Sequence, residues 1–169
     1  MATLAASGII NGSLPRFLSP TRPTLQAVVV GTAVGLPAGV LALLLVRTQI
    51  TYFAFPLTPP GWTVPLVVLL LAVLNGSLEA VYWRGWMIDC GRVMNMSTGW
   101  LLCTQAVSFG LAHISGSPSG LLRFTGALVL GLVLGAIRLS SLGLLSAVIA
   151  HTIVDIFIFA ETVRYAVWL

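Results

Sequence analysis

Long apolar blocks dominate this chain. The first covers residues 25–46, and a second begins at Trp62 and passes without an obvious breaker toward Arg92. Three more follow, at residues 98–114, 121–137 and 142–159. Because a helix needs about 20 apolar residues to cross a bilayer, the pattern predicts an all-α, polytopic membrane helix bundle with about five to six transmembrane helices.

The segments between the blocks read as connections. Residues 1–24 are mixed and repeatedly broken by proline, the stretch at 55–61 (FPLTPPG) cannot continue a helix, and residues 115–120 (SGSPSG) have the composition of a turn. No internal repeat divides the rest. We therefore predict an N-terminal tail over residues 1–24 and a single transmembrane domain over residues 25–169.

Two of the predicted spans carry glycines at helical spacing. They are Gly31, Gly35 and Gly39 in the first span, and Gly126, Gly131 and Gly135 in the fourth. Small residues on one face let a neighbouring helix approach closely in a membrane. Each stripe therefore predicts a helix–helix contact.

Composition agrees with a membrane protein and excludes several other classes. Of the 169 residues, 58% are apolar and only 7% are charged, against roughly a quarter charged in soluble domains. A soluble enzyme, a disordered chain and a disulfide scaffold are thereby excluded. The net charge of +4 comes from scattered arginines with no lysine, which favours contacts with lipid phosphates and no nucleic acid partner. Absence of lysine is typical of GC-rich bacterial genomes, so we expect a multi-pass protein of the bacterial cytoplasmic membrane.

Five ionisable residues stand out within the apolar blocks: Glu79, Arg84, His113, His151 and Asp155. Such groups are costly in lipid and each needs a reason. Taken singly, Glu79 and Arg84 could be a structural ion pair, either histidine could join two helices by a hydrogen bond, and Asp155 could hold His151 one turn away. Their joint occurrence on three different spans points instead to a shared site.

Depth along the helices tests whether these groups could meet. At about 1.5 Å per residue, Glu79 lies about 20 Å from Arg92, His113 about 20 Å from Trp100, and His151 about 12 Å from the start of its span. All three then fall near mid-membrane. This interpretation requires a second helix that is continuous over about residues 62–92.

Three short motifs within residues 62–159 resemble a known family. Residues 79–85 (EAVYWRG) are similar to the Glu-Glu-x-x-x-Arg-Gly motif of CPBP intramembrane proteases, which include CAAX-processing and bacteriocin-processing endopeptidases. Residues 109–113 (FGLAH) match the Phe-x-x-x-His motif, with Phe109 in a supporting place. Residues 151–155 (HTIVD) match His-x-x-x-Asn/Asp. Each motif is weak alone, but three in order are specific.

The resemblance implies a glutamic-type intramembrane endopeptidase. In that family scheme Glu79 and His113 activate the water, while His151, helped by Asp155, stabilises the oxyanion. Arg84 would sit off the catalytic face and anchor the helix or the carboxylate. The implied partner, besides membrane lipids, is a peptide or protein with a hydrophobic or lipidated C-terminal segment, cut near that end in sorting-tail removal or maturation. No cofactor is implied.

The sequence departs from the family pattern at two positions. Ala80 replaces the second glutamate, which leaves no carboxylate there to orient Arg84 or tune the site. Asp155 replaces the commoner asparagine and, if ionised, cannot donate to an oxyanion, so it would orient His151 instead.

Three alternatives stay open at this stage. Glu79, His113 and His151 form a chemically possible zinc ligand set with an open position for water, although no HExxH pair is present. The chain could be an inactive membrane scaffold or accessory protein of the same fold, which Ala80 would suit. A proton-coupled carrier would use similar side chains but normally needs more spans and paired repeats.

Overall fold

A computed structural model describes residues 24–47, 62–115, 120–140 and 142–167, and within these ranges all regular structure is helical. The five helices are α1 Thr24–Arg47, α2 Thr63–Val93, α3 Thr98–His113, α4 Leu121–Leu139 and α5 Gly143–Val167. Nearly all of the predicted tail, the whole loop at 55–61 and most of the turn at 115–120 lie outside the described residues. The all-α membrane bundle is confirmed.

Helix α2 has the length that the depth argument required. It runs without a break for 31 residues, or about 46 Å at 1.5 Å per residue. Its middle changes hydrogen-bond register: Thr63–Glu79 is α-helical, Ala80–Trp86 is π-helical, and Met87–Val93 is α-helical again. The wider π turn, with i→i+5 bonds, begins directly after Glu79.

The predicted number of spans was too high. In the described part of the chain, four helices are long and apolar enough to cross a membrane, namely α1, α2, α4 and α5. Helix α3 has only 16 residues, which gives it a length of about 24 Å, against about 30 Å for the hydrocarbon core. It begins at the N-cap Ser97, whose Oγ accepts a hydrogen bond from the Trp100 N–H, and ends at His113.

Helix α5 lies at the centre of the bundle. Helix α1 packs along it, and a Cβ added at Gly35 would lie 3.0 Å from the Ala150 backbone, so the two helices touch through their main chains. Gly31 and Gly39 make similarly close approaches to α5. The contact predicted for the first glycine stripe is therefore confirmed.

Helices α3 and α4 form an antiparallel hairpin through the second glycine stripe. A Cβ at Gly131 would lie 3.0 Å from Ala106, and one at Gly135 would collide with the side chain of Gln105. Gly126 has nothing within 4 Å of its Cβ position. The predicted stripe was thus correct for two glycines and wrong for the third.

Ion pairs mark both ends of the bundle. At one end the Arg138 guanidinium binds Asp89, with Nη2 3.1 Å from Oδ2, and ties α4 to α2. At the other end Arg47 Nε lies 2.8 Å from Glu161 Oε1 and ties α1 to α5. Along α5, Gly143 and Glu161 are separated by about 27 Å, close to the thickness of a hydrocarbon core.

Candidate active site

Three helices bring the predicted carboxylate and imidazoles together. Glu79 Oε2 on α2 lies 3.6 Å from His113 Nε2 at the end of α3, and 3.6 Å from His151 Nε2 on α5. The convergence predicted from helix depths is therefore found. One carboxylate oxygen faces two ring nitrogens from two different helices.

This cluster lies deep in the bundle. Glu79 is about 24 Å from Thr63 and about 21 Å from Val93 along α2. His151 is about 12 Å from Gly143 and about 15 Å from Glu161 along α5. With the two ion-pair layers at the membrane faces, the cluster falls near the middle of the hydrocarbon core.

The hydrogen bond on the far side of the His113 ring sets its tautomer. His113 Nδ1 lies 2.8 Å from the Phe109 carbonyl oxygen, and a carbonyl can only accept, so Nδ1 carries the proton. In the neutral ring Nε2 then presents a lone pair toward Glu79. Because both facing atoms are acceptors and their 3.6 Å separation exceeds a direct hydrogen bond, the pair is arranged to share a water molecule.

A second carboxylate, with its own donor, lies beside the same ring nitrogen of His151 that faces Glu79. His151 Nε2 is 3.8 Å from Asp155 Oδ1, which is longer than a direct hydrogen bond. Asp155 Oδ2 instead accepts a 3.0 Å hydrogen bond from Asn75 Nδ2. Sequence reasoning missed Asn75, although a polar residue four positions before Glu79 in an apolar run was the available signal.

Arg84, which the family resemblance placed off the catalytic face, lies buried inside the bundle against Phe109. The i→i+5 bonding of the π segment rotates it inward, and its side chain is fully buried. Its guanidinium carbon lies 4.0 Å from the centroid of the Phe109 ring, a cation–π distance. None of its three side-chain nitrogens has a hydrogen-bond partner among the described residues. Ala80, one π-helical turn earlier, is also fully buried and offers no carboxylate.

Phe109 is the aromatic centre of the site. Its ring centroid lies 4.4 Å from that of His113, 5.7 Å from that of His151 and 5.8 Å from that of Trp83. With Arg84 on its face, the ring holds both imidazoles in place and separates them from the buried cation. Trp83 was also missed by sequence reasoning, since a tryptophan in an apolar helix carries no distinctive signal.

Access to the cluster is one-sided. The side chains of Glu79 and His113 are 24% and 21% exposed, whereas that of His151 is only 3% exposed. The cluster is therefore exposed on the side of α2 and α3, although Glu79 Oε2 itself is buried, and α5 forms the inner wall.

The spacing suits both mechanisms considered for these side chains. Two oxygen–nitrogen separations of 3.6 Å are close to the edge of a tetrahedron with bonds of about 2.1 Å to zinc. They equally suit a water held between the groups. Within the described ranges no group of three or more His, Cys, Asp or Glu residues forms a recognisable metal site. Chelation distinguishes the two, because only a zinc site would lose its activity.

Comparison with known proteins gives one match. The family model described as type II CAAX prenyl endopeptidase Rce1-like matches residues 60–157, which is more than half of the chain. No curated protein and no solved structure matches the chain. The matched region contains α2, α3, α4 and most of α5, and with them every residue of the cluster. The chain is thus an integral membrane protein that belongs to the Rce1-like family of type II CAAX prenyl endopeptidases.

Proposed function

We propose that this chain is a glutamic-type intramembrane endopeptidase whose water is activated between Glu79 and His113. The observation that carries the proposal is the position of Glu79 Oε2, 3.6 Å from Nε2 of both His113 and His151, near the middle of the membrane. Water and a general base are otherwise scarce at that depth, so a preformed cluster of this kind suits hydrolysis.

The chemistry follows from the hydrogen-bonding capacity of each group. The water oxygen attacks the peptide carbonyl while Glu79 accepts a proton from that water. The His113 Nε2 lone pair helps to orient the water. His151 donates its Nε2–H to the oxyanion that forms. Glu79 then returns the proton to the leaving amine, so the products are a carboxylate terminus and a free amine.

Asp155 and Asn75 support His151 from beside its Nε2 atom. Asn75 donates to Asp155, which locates the carboxylate beside the His151 ring and favours the His151 tautomer that carries hydrogen on Nε2. Asp155 acts on His151 across 3.8 Å and not through a short hydrogen bond. The pair therefore positions His151 and does not touch the substrate.

The proposed substrate is a membrane-associated protein or peptide, cut near a hydrophobic or lipidated C-terminal segment. Its scissile bond must reach the middle of the membrane, which a soluble polar peptide does only at high cost. Removal of a sorting tail or maturation of a peptide at the bacterial cytoplasmic membrane fits these requirements. The matched family description, a CAAX prenyl endopeptidase, supports the same substrate class.

Cleavage by the purified protein tests the proposal. Against a candidate tail-bearing substrate in proteoliposomes, Glu79→Gln and His113→Ala should each lower kcat by about 10²–10⁴-fold while thermal unfolding stays cooperative. Glu161→Gln makes the same chemical change far from the cluster and should retain activity. Full activity in Glu79→Gln would move the chemistry elsewhere, and a wild-type protein that cleaves none of the candidate substrates would favour the scaffold function.

Chelation tests the metal-free part of the proposal. We expect activity to survive exhaustive treatment with a strong zinc chelator, and elemental analysis to find no stoichiometric metal. Zinc is the alternative to be tested because the 3.6 Å separations would also suit a tetrahedral metal site. Loss of cleavage with chelator, restored by one equivalent of zinc, would make Glu79 a ligand in place of a base.

A further inference from the structure

Gln105 is a fully buried amide in the middle of helix α3. Neither its Oε1 nor its Nε2 has a hydrogen-bond partner among residues 24–47, 62–115, 120–140 and 142–167. A primary amide can donate two hydrogen bonds and accept two, and burying it without partners is costly. The proposed catalytic steps do not use this side chain. Its burial therefore calls for a partner of another kind.

Gln105 lies on the face of α3 that packs against α2. Leu101, Gln105 and Phe109 recur every four residues and are all buried, so they form one stripe. At one end of the stripe, a Cβ added at Gly91 of α2 would collide with Leu101. At the other end, the Arg84 guanidinium of α2 lies on the Phe109 ring, 4.0 Å from its centroid. Gln105 therefore faces α2 between these two contacts.

Helix α4 closes another side of the amide. A Cβ at Gly135 would collide with Gln105 Oε1, so this glycine leaves room for the amide head. One turn further along α4, Arg138 Nε donates a 3.0 Å hydrogen bond to the Arg84 carbonyl oxygen. The Arg84 backbone thus lies near the level of Arg138, while its guanidinium reaches the level of Phe109. The amide and the guanidinium therefore share the interior wedge between α2, α3 and α4.

The hydrogen-bonding capacity of these two groups identifies a suitable ligand. Nε, Nη1 and Nη2 of Arg84 and both amide atoms of Gln105 are buried without a partner in the described part of the chain. The guanidinium and the amide nitrogen can only donate, whereas Oε1 can only accept. A halide or carboxylate anion only accepts, and would leave the amide oxygen unsatisfied. Water both donates and accepts, and a buried water typically makes about three such bonds.

We propose that Gln105 and the Arg84 guanidinium hold internal water in the wedge between α2, α3 and α4. Gln105 lies two turns, or about 12 Å, from His113 along α3, so this water is distinct from the one between Glu79 and His113. It solvates the cation where the cation lies on Phe109, and Phe109 packs against both imidazoles of the cluster. Gln105 is thus a positioning residue that does not touch the substrate. This hydration does not depend on proteolytic activity.

Hydroxyl-radical labelling by X-ray radiolysis detects the water directly, because radicals formed from a bound water oxidise the side chains next to it. Ile88 is 1% exposed and lies one turn after Arg84 on α2, beside the wedge. Leu134 is 0% exposed and lies in the apolar contact between α4 and α5. In proteoliposomes we expect labelling of Ile88 and none of Leu134, each normalised to its intrinsic reactivity. Labelling of Ile88 no greater than that of Leu134 would overturn the proposal.

The sign of a stability change gives an independent test. Gln105→Met keeps the length of the side chain and removes both polar atoms, and it should abolish the labelling of Ile88. Leu101→Met places the same residue one turn away on the same stripe without removing a polar group, and is the control. We expect Gln105→Met to lower Tm by about 2–6 °C more than Leu101→Met does. Removal of an amide without any partner would instead raise Tm.

A double-mutant cycle tests whether the water is shared. In an Arg84→Met background the loss of Tm caused by Gln105→Met should shrink, because the water has already lost its other partner. Equal losses in the two backgrounds, or a rise in Tm for Gln105→Met, would overturn the proposal. Replacing chloride with gluconate should leave Tm unchanged, whereas a Tm that rises with chloride would assign the wedge to an anion. Labelling of the wild-type protein decides the question even where a variant does not fold.

Discussion

Position 80 offers the sharpest test of how the buried cation is accommodated. Ala80 and Arg84 are both fully buried, and the guanidinium has no hydrogen-bond partner among the described residues. Since the two positions lie about one π-helical turn apart, Ala80→Glu would place a carboxylate beside that guanidinium. Ala80→Gln adds nearly the same volume without the charge and is the matched control.

The expected magnitude follows from two opposing terms. Adding side-chain atoms at a buried alanine costs about 1–3 kcal/mol through overpacking, and this term is shared by Glu and Gln. A buried ion pair that loses one partner is destabilised by about 3–5 kcal/mol, so supplying the missing partner recovers part of that energy. Desolvation of the new carboxylate offsets some of the gain. We therefore expect the free energy of unfolding of Ala80→Glu to be about 2 kcal/mol higher than that of Ala80→Gln.

Thermal unfolding in detergent measures this difference. For a chain of this size about 2 kcal/mol corresponds to a Tm higher by about 4–8 °C in the Glu variant. In an Arg84→Met background the difference between Glu and Gln should vanish, because the partner charge is gone. A Gln variant as stable as the Glu variant in the wild-type background would refute the view that Arg84 is an uncompensated buried charge.

Two further predictions concern packing and support around the site. Asn75→Leu removes the donor to Asp155 and should destabilise the protein by about 1–3 kcal/mol. It should also lower kcat more than it changes KM. An unchanged kcat and an unchanged Tm would show that this hydrogen bond contributes to neither activity nor stability. Gly35→Val should lower Tm strongly because its Cβ meets the Ala150 backbone at 3.0 Å, whereas Leu36→Val, on the exposed side of the same turn, should have little effect. Similar Tm values for these two variants would contradict the close α1–α5 contact.

Much of the architecture could be predicted from the sequence for a simple physical reason. A backbone in lipid must satisfy its hydrogen bonds internally, so long apolar blocks become helices whatever their neighbours are. The same reasoning makes ionisable groups in those blocks conspicuous. Depths counted from Arg92 and Gly143 were sufficient to place Glu79 and His151 at one level, and the structure has them 3.6 Å apart.

Other features depend on contacts that no local pattern contains. The inward rotation of Arg84 results from an i→i+5 register in α2. The sequence of that segment does not predict this register. The bond between Asn75 and Asp155 joins positions 80 residues apart. The early end of α3 places His113 beside Glu79, although the apolar block of α3 predicts another full span. In each case the decisive energy comes from neighbouring helices, because packing and hydrogen bonding between helices select one of several local conformations that the sequence alone permits.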